Sequence, residues 1–104
     1  MIADADIQVW LYTHFSSSQA VIVPYVQSES DARLQYQINM VQRAGGSTSQ
    51  VSQQGKLDLS AGRAAQLSRL AVGAGKDGRC DLEIVLREHD SEIARFRFDC
   101  ETRP

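Results

Sequence analysis

Residues 79–87 (RCDLEIVLR) and 92–100 (EIARFRFDC) decide the fold. Each stretch alternates apolar and polar side chains, the pattern of a half-buried β-strand. Laid antiparallel so that partner numbers sum to 180, Leu86 meets Ala94, Ile84 meets Phe96, Leu82 meets Phe98 and Cys80 meets Cys100. That face is apolar throughout and sets the two cysteines of the chain opposite each other. The other face pairs Glu83 with Arg97 and Val85 with Arg95, as a solvated face should. A slip of one residue would turn every side chain over and set apolar groups against charged ones, so the phase is strongly specified.

Direct cross-strand neighbours have Cβ atoms about 4.5–5.5 Å apart, close enough for a bridge with modest adjustment. The register therefore predicts a Cys80–Cys100 disulfide between the last two strands. In the chain-entropy description, closing a loop of about twenty residues contributes roughly 3 kcal/mol. Structural disulfides persist in oxidising compartments such as the periplasm, so the bridge implies export. The competing account is two free, buried cysteines in a cytosolic chain. A redox-active pair is disfavoured because no Cys-x-x-Cys spacing lowers a thiol pKa.

At 104 residues the chain predicts one domain over 1–104, with 1–5 and 101–104 frayed at its ends. Its 42% hydrophobic and 23% charged residues are those of an ordinary globule. A net charge of −2 argues against nucleic acid or an anionic membrane as the main partner. No apolar run approaches the ~20 residues that span a bilayer. No basic segment followed by an apolar one marks a signal peptide, so a periplasmic location implies a leader already removed ahead of Met1.

Working back along the chain, residues 6–14 (DIQVWLYTH) alternate with bulk on both faces, one for the core and the other for a rim or partner surface. Residues 16–18 (SSS) read as a turn. Residues 20–27 (AVIVPYVQ) form a β-branched run in which Pro24, lacking an N–H, predicts an edge strand or a bulge. Residues 33–42 alternate cleanly, with Leu34, Tyr36, Ile38 and Met40 inward. Residues 47–55 (STSQVSQQG) are polar and read either as a short edge strand or as a loose loop, and 56–60 (KLDLS) alternate again. Residues 64–72 fit a helical turn or a strand; the surrounding strands favour the latter, since an isolated short helix is marginal. The glycine-rich 73–78 loop lacks the spacing and Ser/Thr of a phosphate-binding loop. About seven antiparallel strands with turns every eight to twelve residues predict an all-β, immunoglobulin-like sandwich. The proposed bridge ties adjacent strands instead of crossing the core.

Catalytic signals are thin. His14 and His89 read as solvated residues at strand ends, and no spacing brings metal ligands together. No serine, base and orienting group form a recognisable set. The sequence therefore predicts a non-enzyme with no metal and no cofactor. Its more informative feature is cationic: Arg95 and Arg97 project from the last strand, with Arg87 beside them and Arg33 in the same sheet. Lys56, Arg43 and Arg69 flank residues 47–55. In a net-acidic chain these seven residues make a candidate docking set for an acidic, extended partner. The bland account of the same residues is solubility and protection of sheet edges.

The order of segments resembles the CsgC-like curli assembly inhibitors, in particular the alphaproteobacterial branch known as CsgH. The resemblance runs from about Ile7 to Phe98. It rests on Val21-Ile22-Val23-Pro24-Tyr25-Val26, Tyr36-Gln37-Ile38, Gln54-Gly55-Lys56-Leu57-Asp58-Leu59, Ala61-Gly62, Leu67-Ser68-Arg69-Leu70 and Asp81-Leu82-Glu83-Ile84. It implies a periplasmic immunoglobulin-like sandwich that keeps disordered curli-type amyloid subunits from aggregating before export, and the chain is expected to be a monomer. The enteric members carry a Cys-x-Cys pair on a middle strand where this chain has Leu34-Gln35-Tyr36, so no thiol activity is carried over to that position. Two modes of action follow: long-range attraction by the cationic faces, or strand addition at the 47–55 edge. The rival classes are an envelope sandwich that binds a ligand through its loops and a thiol–disulfide enzyme.

Overall fold

The computed structural model describes residues 7–15, 19–44, 46–73 and 79–99. Among them are eight strands and no helix: β1 (Ile7–Phe15), β2 (Gln19–Ser28), β3 (Ala32–Ala44), β4 (Ser47–Leu59), β5 (Ala65–Gln66), β6 (Leu70–Gly73), β7 (Arg79–Glu88) and β8 (Ser91–Asp99). One sheet runs β1-β2, with β6 and then β5 sharing the far edge of β2; the other runs β4-β3-β7-β8. Every pairing is antiparallel. One apolar cluster joins the sheets: Ile7, Ala20, Ile22, Val26, Leu70 and Val72 from the first meet Leu34, Ile38, Met40, Leu82, Ile84 and Leu86 from the second. Each of these larger side chains gives about 1.5–3 kcal/mol on leaving water.

The β7–β8 register is the one the alternation dictates, from Asp81↔Asp99 through Leu82↔Phe98, Ile84↔Phe96 and Leu86↔Ala94. It then shifts, pairing Arg87 with Glu92 and leaving Ile93 as the extra residue of a bulge. The connection is a two-residue turn at His89 (φ 52°) and Asp90 (φ 66°), the left-handed pair that matches the twist of a hairpin. Cys80 is buried; Cys100, its expected partner, lies outside the described residues, as do 1–5, 16–18 and 101–104.

Three expectations change. Residues 47–55 and 56–60 are one strand, β4, because β3 supplies thirteen consecutive partners from Ala32↔Leu59 to Ala44↔Ser47. Gly55 passes through that strand as the partner of Tyr36, whose ring lies where a Cβ would stand, its Oη 2.8 Å away. Residues 64–72 are neither one strand nor a helix: β5 and β6 are separate, with Leu67 buried between them. This break explains Pro24, which is fully buried in a central strand and not at an edge. Its carbonyl accepts the Leu67 N–H at 2.9 Å, so its nitrogen also faces the gap between β5 and β6. There no ladder bond is missed.

Candidate functional site

In the β4-β3-β7-β8 sheet, even-numbered residues of β3 and β7 face the core and odd-numbered ones face out. The register carries Arg33, Arg43, Lys56, Arg79, Arg87, Arg95 and Arg97 to the outer face, together with the carboxylates Asp58, Asp81, Glu83, Glu92 and Asp99. Six of the seven candidate cations thus share one surface. The seventh, Arg69, is exposed between β5 and β6 in the other sheet. Arg79 belongs to the surface too: it pairs directly with Arg43 across β3 and β7, a like-charge contact that the separation of the two segments hides in the sequence.

Within this face the arginines differ sharply. Arg95 grips Glu92 through both Nη2 (2.7 Å) and Nε (3.2 Å) and donates from Nη1 to Glu83 at 3.0 Å. Arg97 Nε reaches the same Glu83 oxygen at 3.1 Å. Partial desolvation pushes the Glu83 carboxyl up, but hydrogen bonds from Arg95 and Arg97, and their charges, outweigh it and hold it below the usual range. The hydrogen bond from Arg95 likewise lowers Glu92, and the two carboxylates raise the Arg95 guanidinium. Two arginines and two glutamates therefore cancel. Arg33 reaches Asp58 at 3.5 Å with both side chains almost fully exposed, a contact worth little in water.

Beneath this lattice Val85, expected on a wet face, is only 2% exposed. It stands between Gln37 and Arg95 in its row. Gln37 accepts from Arg87 Nη1 at 3.0 Å and Arg95 is pinned by its glutamates. The aliphatic stems of such side chains cover apolar surface while their heads stay wet.

Among the described residues, Lys56 and Arg87 are the cations without a carboxylate within 4.0 Å that also border a depression. The groove there, about 570 Å³, is lined by Gln35, Tyr36, Gln54, Gly55, Lys56, Arg87 and Asp90. It runs through Gln35, Lys56 and Asp90 into a second hollow of about 680 Å³ that adds Arg33, Asp58 and His89. His89 and Asp90 of the β7–β8 turn line this second hollow. No group of three His, Cys, Asp or Glu side chains that could hold a metal ion occurs among the described residues.

Residues 1–94 match the profile of the Tafi-CsgC family, described as thin aggregative fimbriae synthesis protein. The chain belongs to this family. Among solved structures it superimposes on the curli protein CsgC of E. coli with a TM-score of 0.76 and 19% identity, covering 90% of this chain and 97% of that one. CsgH of R. palustris matches with a TM-score of 0.72 and 12% identity over 89% of this chain and 91% of the other. At those identities the likeness shows the CsgC fold. No curated protein matches by sequence. Tafi-CsgC membership supports a role in the synthesis of thin aggregative fimbriae.

Alternation in the sequence was enough to put Arg33, Arg87, Arg95 and Arg97 on one side of a Tafi-CsgC sheet, while Lys56 and Arg43 were placed there only by the β3–β4 register. What it lacked was the pairing across β7 and β8 that ties Arg95 and Arg97 to Glu83 and leaves Lys56 and Arg87 open. The only advance signal was Glu83 opposite Arg97, already visible in the register.

Proposed function

We propose that this chain is a periplasmic, chaperone-like inhibitor of curli-type amyloid aggregation, acting through weak, electrostatically guided contact with disordered subunits before export. Lys56 and Arg87, without an ion pair inside 4.0 Å and beside an open groove, carry the reading. Arg33, Arg43 and Arg69 add attraction at longer range, while Arg95 and Arg97 act chiefly in holding the face together. A single groove cation gives a modest interaction in water, which suits a contact that must release the subunit. The immunoglobulin-like sandwich is the rigid carrier. A Cys80–Cys100 bridge, supported by the unbroken Asp81↔Asp99 to Leu86↔Ala94 register, locks the free ends of its last hairpin and is consistent with an oxidising compartment.

Fibrillation of purified curli major subunit, followed by an amyloid dye, tests this. Substoichiometric chain should lengthen the lag, and the effect should fade between 0.1 M and 1 M salt as the Debye length falls from about 10 Å to about 3 Å. Lys56→Glu with Arg87→Glu should abolish most of the delay without changing the fold. Equal inhibition at both salt concentrations, or by the double variant, refutes the electrostatic reading.

A further inference from the structure

The four-stranded β4-β3-β7-β8 sheet guards β8 along its length and β4 over residues 55–58, while residues 47–54 of β4 are uncharged but polar, with Val51 their one apolar side chain. β8 carries Glu92, Arg95, Arg97 and Asp99 and a bulge at Ile93, and β4 carries Gly55, Lys56 and Asp58. In the other sheet, β5 and β6 are only two and four residues long. Charges, bulges and shortness are the means by which proteins keep sheet edges from recruiting other strands. β1 has none of them. It is nine residues long, IQVWLYTHF, without Lys, Arg, Asp, Glu, Pro or Gly, and among the described residues it pairs with β2 alone.

The outer row of β1 is aromatic. Trp10 stacks on Tyr25 of β2 with ring centroids 5.9 Å apart and planes 14° from parallel. Tyr12, 52% exposed, lies 4.5 Å from the His14 ring. No Lys, Arg, Asp or Glu stands on any described strand of this sheet. An acidic segment would find no counter-charge here, whereas an uncharged one would leave no ion unpaired. Short segments of high β-propensity, low net charge and no proline are also the ones that build amyloid.

We propose that the free edge of β1 takes up an uncharged, aggregation-prone strand of the amyloid subunit, pairing backbone to backbone and setting its side chains against Trp10, Tyr12 and His14. This inference rests on the chaperone reading above and divides the labour: the groove attracts charged stretches, and β1 occupies the neutral stretch that would otherwise template a fibril.

Trp10 is the single tryptophan of the chain, so its emission reports directly on the edge. The probe is a seven-residue peptide of Asn, Gln, Val and Tyr, capped at both ends to remove charge. Its titration should shift Trp10 emission saturably, with affinity unchanged within about twofold between 0.1 M and 1 M salt because no ion pair is screened. Tyr12→Lys, a gatekeeper charge on the edge, should weaken binding about tenfold, and so should His14→Lys if the first variant unfolds. Lys56→Glu with Arg87→Glu should leave it unchanged within about twofold. Absence of a shift, full binding by both edge variants, or loss of binding in the groove variant overturns the proposal. So does a Trp10 shift that follows protein concentration alone with a dimer in sedimentation equilibrium, which would make a second copy the occupant. Failure to delay subunit fibrillation with peptide binding intact refutes the chaperone reading and not the edge; the converse refutes the edge alone.

Discussion

The two outer faces of this protein are built on opposite terms. On the β4-β3-β7-β8 side, seven cations and five carboxylates cover the sheet, while on the other side aromatic rings and amides stand with no formal charge on any described strand. Each face hides a valine, Val85 at 2% exposure under the charged lattice and Val23, the β2 partner of Tyr12, at 6%, while Tyr12 at the free edge remains half open. Charge on a sheet surface is thus no guide to wetness. Long side chains that pair with one another can roof an apolar residue, as the ring-bearing row of the other face does for Val23.

The largest test of that contrast is Val85→Asp. A carboxylate placed under the Arg95–Glu83–Glu92 lattice lacks a partner of its own and should cost about 3–5 kcal/mol, read by chemical denaturation. Tyr12→Ala on the other face should stay within about 0.5 kcal/mol. If the two cost the same, Val85 is not roofed.

Gly55→Val comes next. Its side chain would displace the Tyr36 ring beside the groove and should cost about 1–3 kcal/mol, with a changed near-ultraviolet signal from the tyrosine. An unchanged signal would show that the ring does not depend on the glycine.

Replacing His89-Asp90 by Asn-Gly relieves two left-handed residues that carry side chains. It should raise stability by about 1 kcal/mol, seen as a higher Tm, and leave the aromatic face untouched.

The smallest effect is with pH. Glu83 and Glu92 titrate below their usual range in the folded chain, so their contribution is complete above the unfolded value of about 4.3 and is lost as pH falls through the lowered folded values. Glu83→Gln should flatten that part of an acid titration of Tm. An unchanged slope would mean that the lattice contributes nothing to stability.

Much of this was legible in advance. The phase of β7 on β8, the inward row of β3 and the turn between the last two strands follow from two-residue alternation, a local signal that a half-buried strand cannot avoid, whereas bulk on both faces left the inward row of β1 open. The continuity of β4 through Gly55 was not legible, because Ser, Thr and Gln neither favour nor forbid a strand until β3 offers hydrogen bonds along its whole length. Pro24 misled for a similar reason: a missing N–H predicts an edge only if the neighbouring strand is unbroken, and the break at Leu67 lies forty residues further on. For Arg33, Arg87, Arg95 and Arg97 alternation assigned the side of the sheet but not the partner, and Lys56, Arg43 and Arg69 were known only as neighbours of residues 47–55, so paired Arg95 and open Lys56 looked alike.

By itself the sequence determined the phase of the last two strands and the inward row of β3, since those properties depend on a residue and its neighbours two positions away. The tertiary structure decided which charges cancel, which valine is roofed and which edge stays unguarded. Those are relations between segments far apart in the chain, and a side chain's electrostatic partner is set by the strand that comes to lie beside it.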